Sequence, residues 1–250
     1  MAFISTTFSS QQLQMQTEAK VIIPLGHKKE SKILYLLHGL SDNCSTWSLR
    51  TRIYEYAEQH NYIVIMPEVQ RSFYCDMKYG GNYFTYVAYE LPQICEKLFG
   101  LRHERESTFV AGLSMGGYGA IKCGLTRPDF YAGIASFSGA VDISGISGKD
   151  EDDKYYMKEV YAICGEDTCL KDTDNLFYLS KQVNKLPEGQ RPRIFQTCGS
   201  DDFLLDGNRK FNAAMDKLQF DYKYIEWSGT HNWDFWDQSI QLTLDYFDEK

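Results

Sequence analysis

The chain has 250 residues, and its 34 acidic against 26 basic residues give a formal net charge of −8 at pH 7. An apolar content of 43% excludes a disordered chain and is enough to bury one sizeable hydrophobic core. The acidic balance disfavours nucleic-acid binding, because phosphate contacts need clustered lysine and arginine.

Short apolar runs alternate with longer amphipathic ones along the chain, which predicts a mainly parallel sheet with helices on both faces. Pro92 should end or kink any helix around it unless it lies in a first turn. Strands are predicted at 21–24, 33–37, 62–66, 108–111, 132–137, 193–197 and 222–227, and helices at 47–60, 83–99, 116–126, 175–183, 206–218 and 233–247.

The stretch 139–192 interrupts this alternation and is too long for a simple connection between strands. We interpret it as a lid-like insertion over the carboxyl edge of the sheet, inside one domain that spans 1–250. The charged run at 149–154 is expected to be a solvated turn.

The seven cysteines form an odd set without a C-x-x-C pair, which disfavours a zinc site and a secreted disulfide scaffold. Thiols in a reducing compartment are favoured, although Cys164 and Cys169 could pair in an oxidising one. Residues 1–10 lack the features of a signal peptide, and no apolar run reaches 18 residues. A cytoplasmic protein without a membrane partner or a metal is therefore expected.

The run from Gly112 to Gly116, with Ser114 at its centre, matches G-x-S-x-G. It follows a buried strand and opens a helix, which is the setting that this nucleophile motif requires. The two glycines leave room for a sharp turn that projects the serine hydroxyl above the sheet. We predict that Ser114 is a catalytic nucleophile.

A serine nucleophile needs a histidine base and a carboxylate that orients it, in the chain order Ser, acid, His on this architecture. His231 is the only histidine after Ser114, and it follows the last predicted strand. Asp201 and Asp202 both follow the preceding strand, and spacing does not separate them. Asp206 suits the cap of the next helix better.

The oxyanion of an acyl-transfer reaction needs two backbone donors. One is expected from Met115, directly after the nucleophile, and the other from Leu40, in the loop after an early strand. Gly39 allows that loop to approach closely. His38 is expected to have a structural, hydrogen-bonded role rather than a catalytic one.

Five segments carry a family resemblance. They are L-L-H-G-L at 36–40, A-G-L-S-M-G-G-Y-G at 111–119, S-F-S-G at 136–139, C-G-S-D-D-F at 198–203 and T-H-N-W-D-F-W at 230–236. With these segments, the sequence resembles the esterase D family of α/β-hydrolases over about 21–247, and is most similar to small bacterial tributyrin, acetyl and cinnamoyl (feruloyl) esterases.

The resemblance implies an α/β-hydrolase fold and hydrolysis of short acyl or hydroxycinnamoyl esters through an acyl-serine, without a cofactor. It also implies that the acid of the triad is Asp202, the aspartate directly before the aromatic of C-G-x-x-D-F. The stretch Ser41-Asp-Asn-Cys44 is only loosely similar to the S-formylglutathione hydrolases of the family. A thioesterase of that kind, or an acyltransferase, is the alternative, and a non-catalytic binding module is a third class.

Aromatic side chains gather in the loops predicted at the catalytic end of the sheet. They suit planar or sugar-linked esters, since they offer broad apolar faces with a polar tip. We predict substrate contacts for Trp233, Tyr79 and Tyr74. The expected partner is thus a small-molecule ester, including carbohydrate-linked esters, and a homo-oligomer is left open.

Overall fold

A computed structural model of the protein describes residues 1–27, 31–143, 151–166 and 170–249. Within these ranges the strands are β1 (Ala2–Ser10), β2 (Met15–Ile23), β3 (Lys32–Leu37), β4 (Tyr62–Pro67), β5 (Thr108–Leu113), β6 (Gly133–Phe137), β7 (Arg193–Gly199) and β8 (Tyr222–Trp227). They form one sheet in the order β1-β2-β4-β3-β5-β6-β7-β8. The pairs from β4 to β8 are parallel, whereas β1-β2 and β2-β4 are antiparallel.

The helices connect these strands and cover the sheet. They are α1 (Thr46–Arg50), α2 (Ile53–His60), α3 (Tyr83–Thr85), α4 (Leu91–Phe99), α5 (Met115–Thr126), α6 (Glu151–Cys164), α7 (Leu176–Val183), α8 (Leu205–Met215) and α9 (Trp233–Asp248). One π-helical turn, Tyr86–Glu90, joins α3 to α4. In the described part of the chain, no helix is both long and apolar enough to cross a bilayer.

The central strands are buried on both faces. Along β3, Ile33, Tyr35 and Leu37 join the core that includes residues of α4, α5 and α7. Leu34 and Leu36 join the opposite core, which includes residues of α2 and α9. This alternation is the period of two of a strand between two helical layers. The predicted mainly parallel sheet with helices on both faces is confirmed.

The amino-terminal hairpin is longer than predicted. The strand prediction covered 21–24 and left open its pairing with the alternating polar residues before it. In the structure, β1 and β2 pair along their full length, from Ala2 with Ile23 to Ser10 with Met15. Most of their side chains alternate between exposed and partly or fully buried positions. A strand with one solvated face carries few apolar residues, and its signal in the sequence is therefore weak.

Two predicted helices are interrupted. The predicted helix 47–60 is divided into α1 and α2, because Thr51 between them is extended, with φ −132° and ψ 171°. The predicted helix 83–99 contains the π-helical turn, and Pro92 lies in the first turn of α4. A missing N–H costs nothing at that position, which explains why the helix continues beyond the proline.

The stretch 139–192 contributes α6 and α7 to the fold. The predicted turn at 149–154 is wrong for its second part, because α6 begins at Glu151; positions 149 and 150 lie outside the described residues. The Tyr118 hydroxyl on α5 donates to the Asp174 carbonyl at 2.6 Å, and buried Lys122 pairs with the Asp174 carboxylate at 2.5 Å. The insertion is thus anchored to α5, and its role as a lid stays a prediction. Cys169, and with it the proposed pairing, also lies outside the described residues.

Candidate active site

Ser114 occupies the turn between β5 and α5, at the carboxyl edge of the parallel strands. Its φ of 52° and ψ of −117° lie in a region that residues with a side chain rarely adopt. The turn is held in place by backbone hydrogen bonds. The Ser114 N–H donates to the Phe137 carbonyl at 2.9 Å, and its carbonyl accepts from Tyr118 and Ala140 at 3.1 and 3.0 Å. The surrounding structure thus enforces the strained turn that the sequence predicts.

The glycines on either side of Ser114 are required by close backbone packing. A Cβ on Gly112 would lie 2.4 Å from the Gly116 carbonyl oxygen. A Cβ on Gly116 would lie 2.4 Å from the Leu37 carbonyl oxygen and 2.7 Å from that of His38. Real Cβ atoms essentially never approach other atoms this closely. Glycine therefore lets the first turn of α5 pack against the end of β3, where the loop with Leu40 begins.

His231 and Asp202 form a hydrogen-bonded pair beyond the ends of β8 and β7. The His231 Nδ1 atom lies 2.9 Å from Asp202 Oδ2 and 3.1 Å from Oδ1. The Asp202 side chain is fully buried, and that of His231 is 18% exposed. Adjacent Asp201 is exposed and accepts from the Ser200 hydroxyl at 2.9 Å. Of the two aspartates that spacing left open, Asp202 is therefore the partner of the histidine.

The charge of Asp202 is stabilised by its neighbours. Burial alone would raise the pKa of this carboxyl, but hydrogen bonding to His231 and the attraction of the imidazolium lower it below its ordinary value. The Leu204 N–H, which donates at 2.8 Å, and the Ser138 hydroxyl lower the pKa further. Asp202 is consequently an anion at neutral pH, and an anion suits a group that holds the N–H of an imidazole.

Ser114 and His231 line the same cavity, of about 380 Å³. Two aromatic rings hold the imidazole there, with centroids 4.5 Å (Phe203) and 4.9 Å (Trp236) from its own. Trp236 is fixed in turn, since its indole N–H donates to Ser138 Oγ at 3.2 Å. The lining residues are Gly39, Leu40, Ser41, Asp42, Leu113, Ser114, Phe203, His231, Asn232, Trp233 and Trp236.

The two predicted oxyanion donors lie beside Ser114. Met115 is the first residue of α5, so its N–H is among the helix donors without an intrahelical acceptor. Leu40 lines the cavity with Ser114. The positive end of the α5 dipole lies at the same place and favours negative charge there. The arrangement suits an oxyanion hole, and this role of the two N–H groups stays a prediction.

His38 is a buried structural residue, as expected. Its Nδ1 lies 2.8 Å from the Gly39 carbonyl, and its Nε2 accepts from the Val69 N–H at 3.2 Å. Its side chain is 1% exposed, and Nε2 also lies 3.6 Å from Glu68 Oε1. Both ring nitrogens are thus used to hold the loop that carries Leu40.

Tyr74 and Tyr79, which were predicted to contact substrate, lie away from the described lining of the Ser114 cavity. Tyr74 is fully buried, and its hydroxyl donates to the His38 carbonyl at 2.9 Å. Tyr79 is 52% exposed, and its ring packs against Tyr161 of α6 with centroids 5.4 Å apart. Neither belongs to the described lining of the Ser114 cavity, so their predicted substrate contacts gain no support. Trp233, the third predicted contact, does line the cavity.

Asp42 lines the cavity and was not predicted from the sequence. Its Oδ2 accepts from the Gly39 N–H at 3.2 Å, and its own N–H donates to the Gly39 carbonyl at 3.2 Å. An aspartate three residues after a glycine at a strand end is typical of such a side-chain-closed turn, and this spacing was the available signal.

The sheet, the strained serine turn and the aspartate–histidine pair define an α/β-hydrolase. A family described as "Putative esterase" matches residues 10–246. The chain therefore belongs to this esterase family and is a carboxylic ester hydrolase, as the resemblance implies.

Three relatives illustrate this relationship. An acetyl esterase of Caldicellulosiruptor saccharolyticus is 32% identical over 98% of both chains. Among solved structures, a fluorophosphonate-binding serine hydrolase of Staphylococcus aureus is 31% identical, with a TM-score of 0.88 over 100% of this chain and 99% of that one. An S-formylglutathione hydrolase of the same organism is also 31% identical, with a TM-score of 0.84 over 98% of each chain.

Proposed function

We propose that the protein is a serine carboxylesterase in which Ser114, Asp202 and His231 form the catalytic triad. The observation that carries the proposal is the cavity shared by Ser114 and His231, whose imidazole is held by the buried Asp202 carboxylate. A serine in a strained strand–helix turn beside an oriented histidine is the arrangement that nucleophilic acyl transfer needs.

The reaction proceeds in two halves. In the first, Ser114 Oγ bonds to the carbonyl carbon of the ester while His231 Nε2 takes the hydroxyl proton. The oxyanion accepts hydrogen bonds from the Leu40 and Met115 N–H groups, each worth about 3 kcal/mol by comparison with oxyanion donors of other hydrolases. The carbon–oxygen bond to the alcohol then breaks, and His231 returns the proton to the departing oxygen.

In the second half, water attacks the acyl-serine. His231 takes a proton from the water as its oxygen bonds to the carbonyl carbon, and then gives that proton to Ser114 as the acyl–serine bond breaks. The carboxylic acid leaves and the free serine is restored. Asp202 remains ionised throughout, because its role is to fix the imidazole tautomer and stabilise its charged form.

Short acyl esters, with acetyl and butyryl groups, are the proposed substrates. The acetyl esterase relative supports this choice because it aligns with this chain over nearly all of both lengths. The ring of Trp233 at the cavity and the adjacent Phe203 and Trp236 also suit an aromatic or sugar-linked portion of the ester. Hydroxycinnamoyl esters, such as feruloyl esters, are therefore the second substrate class to test.

A thioesterase activity is the alternative, and the S-formylglutathione hydrolase neighbour favours including it. The same triad would cleave a carbon–sulfur bond, since the acyl-serine is common to both reactions. An acyltransferase would differ only in the acceptor of the second half. Product analysis in water, with and without an added alcohol, separates hydrolysis from transfer.

The test of the proposal is the hydrolysis of 4-nitrophenyl acetate by Ser114→Ala. We expect kcat to fall by at least about 10⁴-fold, since single triad replacements elsewhere cost that much or more. The matched control is Ser200→Ala, which removes an exposed hydroxyl outside the cavity lining. A folded Ser114→Ala enzyme that retains activity near that of the control would overturn the assignment.

A further inference from the structure

The cavity beside Ser114 carries an acidic side chain that the proposed mechanism does not use. Asp42 is half-buried in the lining, and the lining residues that the structure describes include neither lysine nor arginine. Its carboxylate closes the turn that begins at Gly39, because Oδ2 accepts a hydrogen bond from the Gly39 N–H at 3.2 Å. Asp42 therefore has a fixed position in the wall of the cavity that Ser114 also lines.

The Asp42 carboxylate lies close to the nucleophile. A Cβ built on Gly39 would lie 2.8 Å from Asp42 Oδ2 and 3.7 Å from Ser114 Cβ, so both atoms border the same small space. An ester bonded to Ser114 would occupy the cavity that both residues line. The part of the ester next to the reacting carbonyl would consequently lie close to a carboxylate, and a charge elsewhere on the ester would remain within range of its field.

Within the described lining of the cavity, His231 is the one side chain that can carry a positive charge. Burial raises the pKa of the Asp42 carboxyl, whereas His38, the hydrogen bond from the Gly39 N–H, Arg50 and His231 lower it, and the net direction is upward. Of the three side chains that lower it, Arg50 is exposed on α1 and lies outside the cavity lining. His231 is already paired with the Asp202 carboxylate. The lining thus presents a negative charge to a substrate whenever Asp42 is ionised.

We propose that Asp42 determines the charge preference of the active site: it favours neutral and cationic esters and disfavours anionic esters and thioesters. The inference rests on the proposed function, because it assigns a substrate class to the Ser114 site. A carboxylate at fixed short range in a partly desolvated cavity repels an anion and attracts a cation, and neither effect requires direct contact. A glutathione thioester is a net anion at neutral pH, and it is therefore expected to be a poor substrate.

The experiment compares three aryl acetates that differ in the charge of the leaving group: 4-acetoxybenzoate, 4-nitrophenyl acetate and 4-acetoxyphenyl-trimethylammonium. The value of kcat/KM is measured for each with the wild type and with Asp42→Asn at pH 7.5. Asparagine keeps an oxygen that can accept from the Gly39 N–H while it removes the charge. The ratio of variant to wild type cancels the intrinsic reactivity of each leaving group.

Relative to the neutral ester, Asp42→Asn should raise kcat/KM for the anionic ester by about tenfold and lower it for the cationic ester by a similar factor. This magnitude corresponds to a unit charge several ångströms away at an effective dielectric constant between those of a protein surface and water. The matched control, Asp201→Asn, removes the same charge from an exposed position outside the lining and should leave all three ratios near one.

Equal ratios for the three esters in Asp42→Asn, or the same pattern in Asp201→Asn, would overturn the inference. If Asp42→Asn does not fold, kcat/KM for the three esters is measured with Asp42→Ser instead, and the order of the three values in the wild type is determined. Corrected for alkaline hydrolysis rates, the wild type should prefer the cationic ester to the anionic one, and the reverse order would refute the proposal. Failure of the proposed function is recognised separately, because Ser114→Ala would then still hydrolyse the neutral ester.

Discussion

Glu68 offers a test of how the loop with Leu40, the proposed oxyanion donor, is held in place. The Glu68 carboxylate accepts from the Cys44 N–H at 3.1 Å and from the Gln70 N–H at 2.8 Å, and it lies 3.6 Å from the imidazole of His38. It therefore ties the segment after β4 to the loop between β3 and α1. Glu68→Gln replaces one accepting oxygen by an amide that faces a backbone donor.

The magnitude follows from the pKa of Glu68. Burial raises this pKa, but the hydrogen bonds and the charge of His38 together lower it from 4.5 to about 2. At 1.36 kcal/mol per pKa unit, the ionised carboxylate contributes up to about 3 kcal/mol to the free energy of unfolding at pH 7. This is an upper bound for two reasons. Part of the shift requires a protonated His38, whereas His38 Nε2 here accepts from the Val69 N–H. The side chain is also 23% exposed, so water screens part of the interaction.

The sign of the pH dependence is fixed by the direction of the shift. A pKa that is lower in the folded state gives a contribution that is fully present above about pH 4.5 and is lost as the pH falls toward 2. The difference in unfolding free energy between wild type and Glu68→Gln should therefore shrink by roughly 1 kcal/mol from pH 7 to about pH 3.5.

The assay is urea unfolding of both proteins at the two pH values, followed by circular dichroism. Titration of all other groups cancels in the difference between the two proteins. Glu188→Gln, on the exposed surface, is the matched control and should be neutral at both pH values. A Glu68→Gln difference that stays constant with pH would show that the carboxylate is not stabilised in this way.

Two further predictions concern the candidate active site. Asp202→Asn should lower kcat for 4-nitrophenyl acetate by about 10³- to 10⁴-fold with little change in KM, because an amide does not fix the required tautomer of His231. The control Asp201→Asn should have a kcat near that of the wild type in the same assay, and an equal loss in both variants would contradict the assignment of the acid. Trp233→Ala should raise KM for a ferulate ester more than for a small acetate, since it removes an apolar face from the cavity lining. Steady-state kinetics on both esters checks this, and equal changes would indicate that Trp233 only packs against Trp47, whose ring centroid lies 5.2 Å from its own.

The sheet and the strained turn at Ser114 were predictable because their signals are local. Each central strand is an apolar run, and its burial on both faces follows from helices on either side. The G-x-S-x-G turn reports its own geometry, because Gly112 and Gly116 are required by backbone atoms less than 3 Å from where their side chains would begin. Helix α5 spans Met115–Thr126, close to the predicted 116–126.

Other features depend on contacts between distant segments. Spacing did not separate Asp201 from Asp202, because the choice is made by the position of His231, which lies 29 residues beyond Asp202 in the chain. Asp42 was overlooked because the spacing between Gly39 and Asp42 predicts a closed turn but does not show which side chain of the loop lines the cavity with Ser114. Tyr74 was predicted to meet substrate, but a loop aromatic that packs inward has the same sequence signature as one that lines a pocket.

The identity of the nucleophile is tested most directly by covalent labelling. The protein is incubated with a fluorophosphonate, digested, and mapped by mass spectrometry. A single adduct is expected on the Ser114 hydroxyl in the wild type, and its rate of formation should fall sharply in His231→Ala. Labelling of another residue, or undiminished labelling of Ser114→Ala, would contradict the proposal that Ser114 is the catalytic serine.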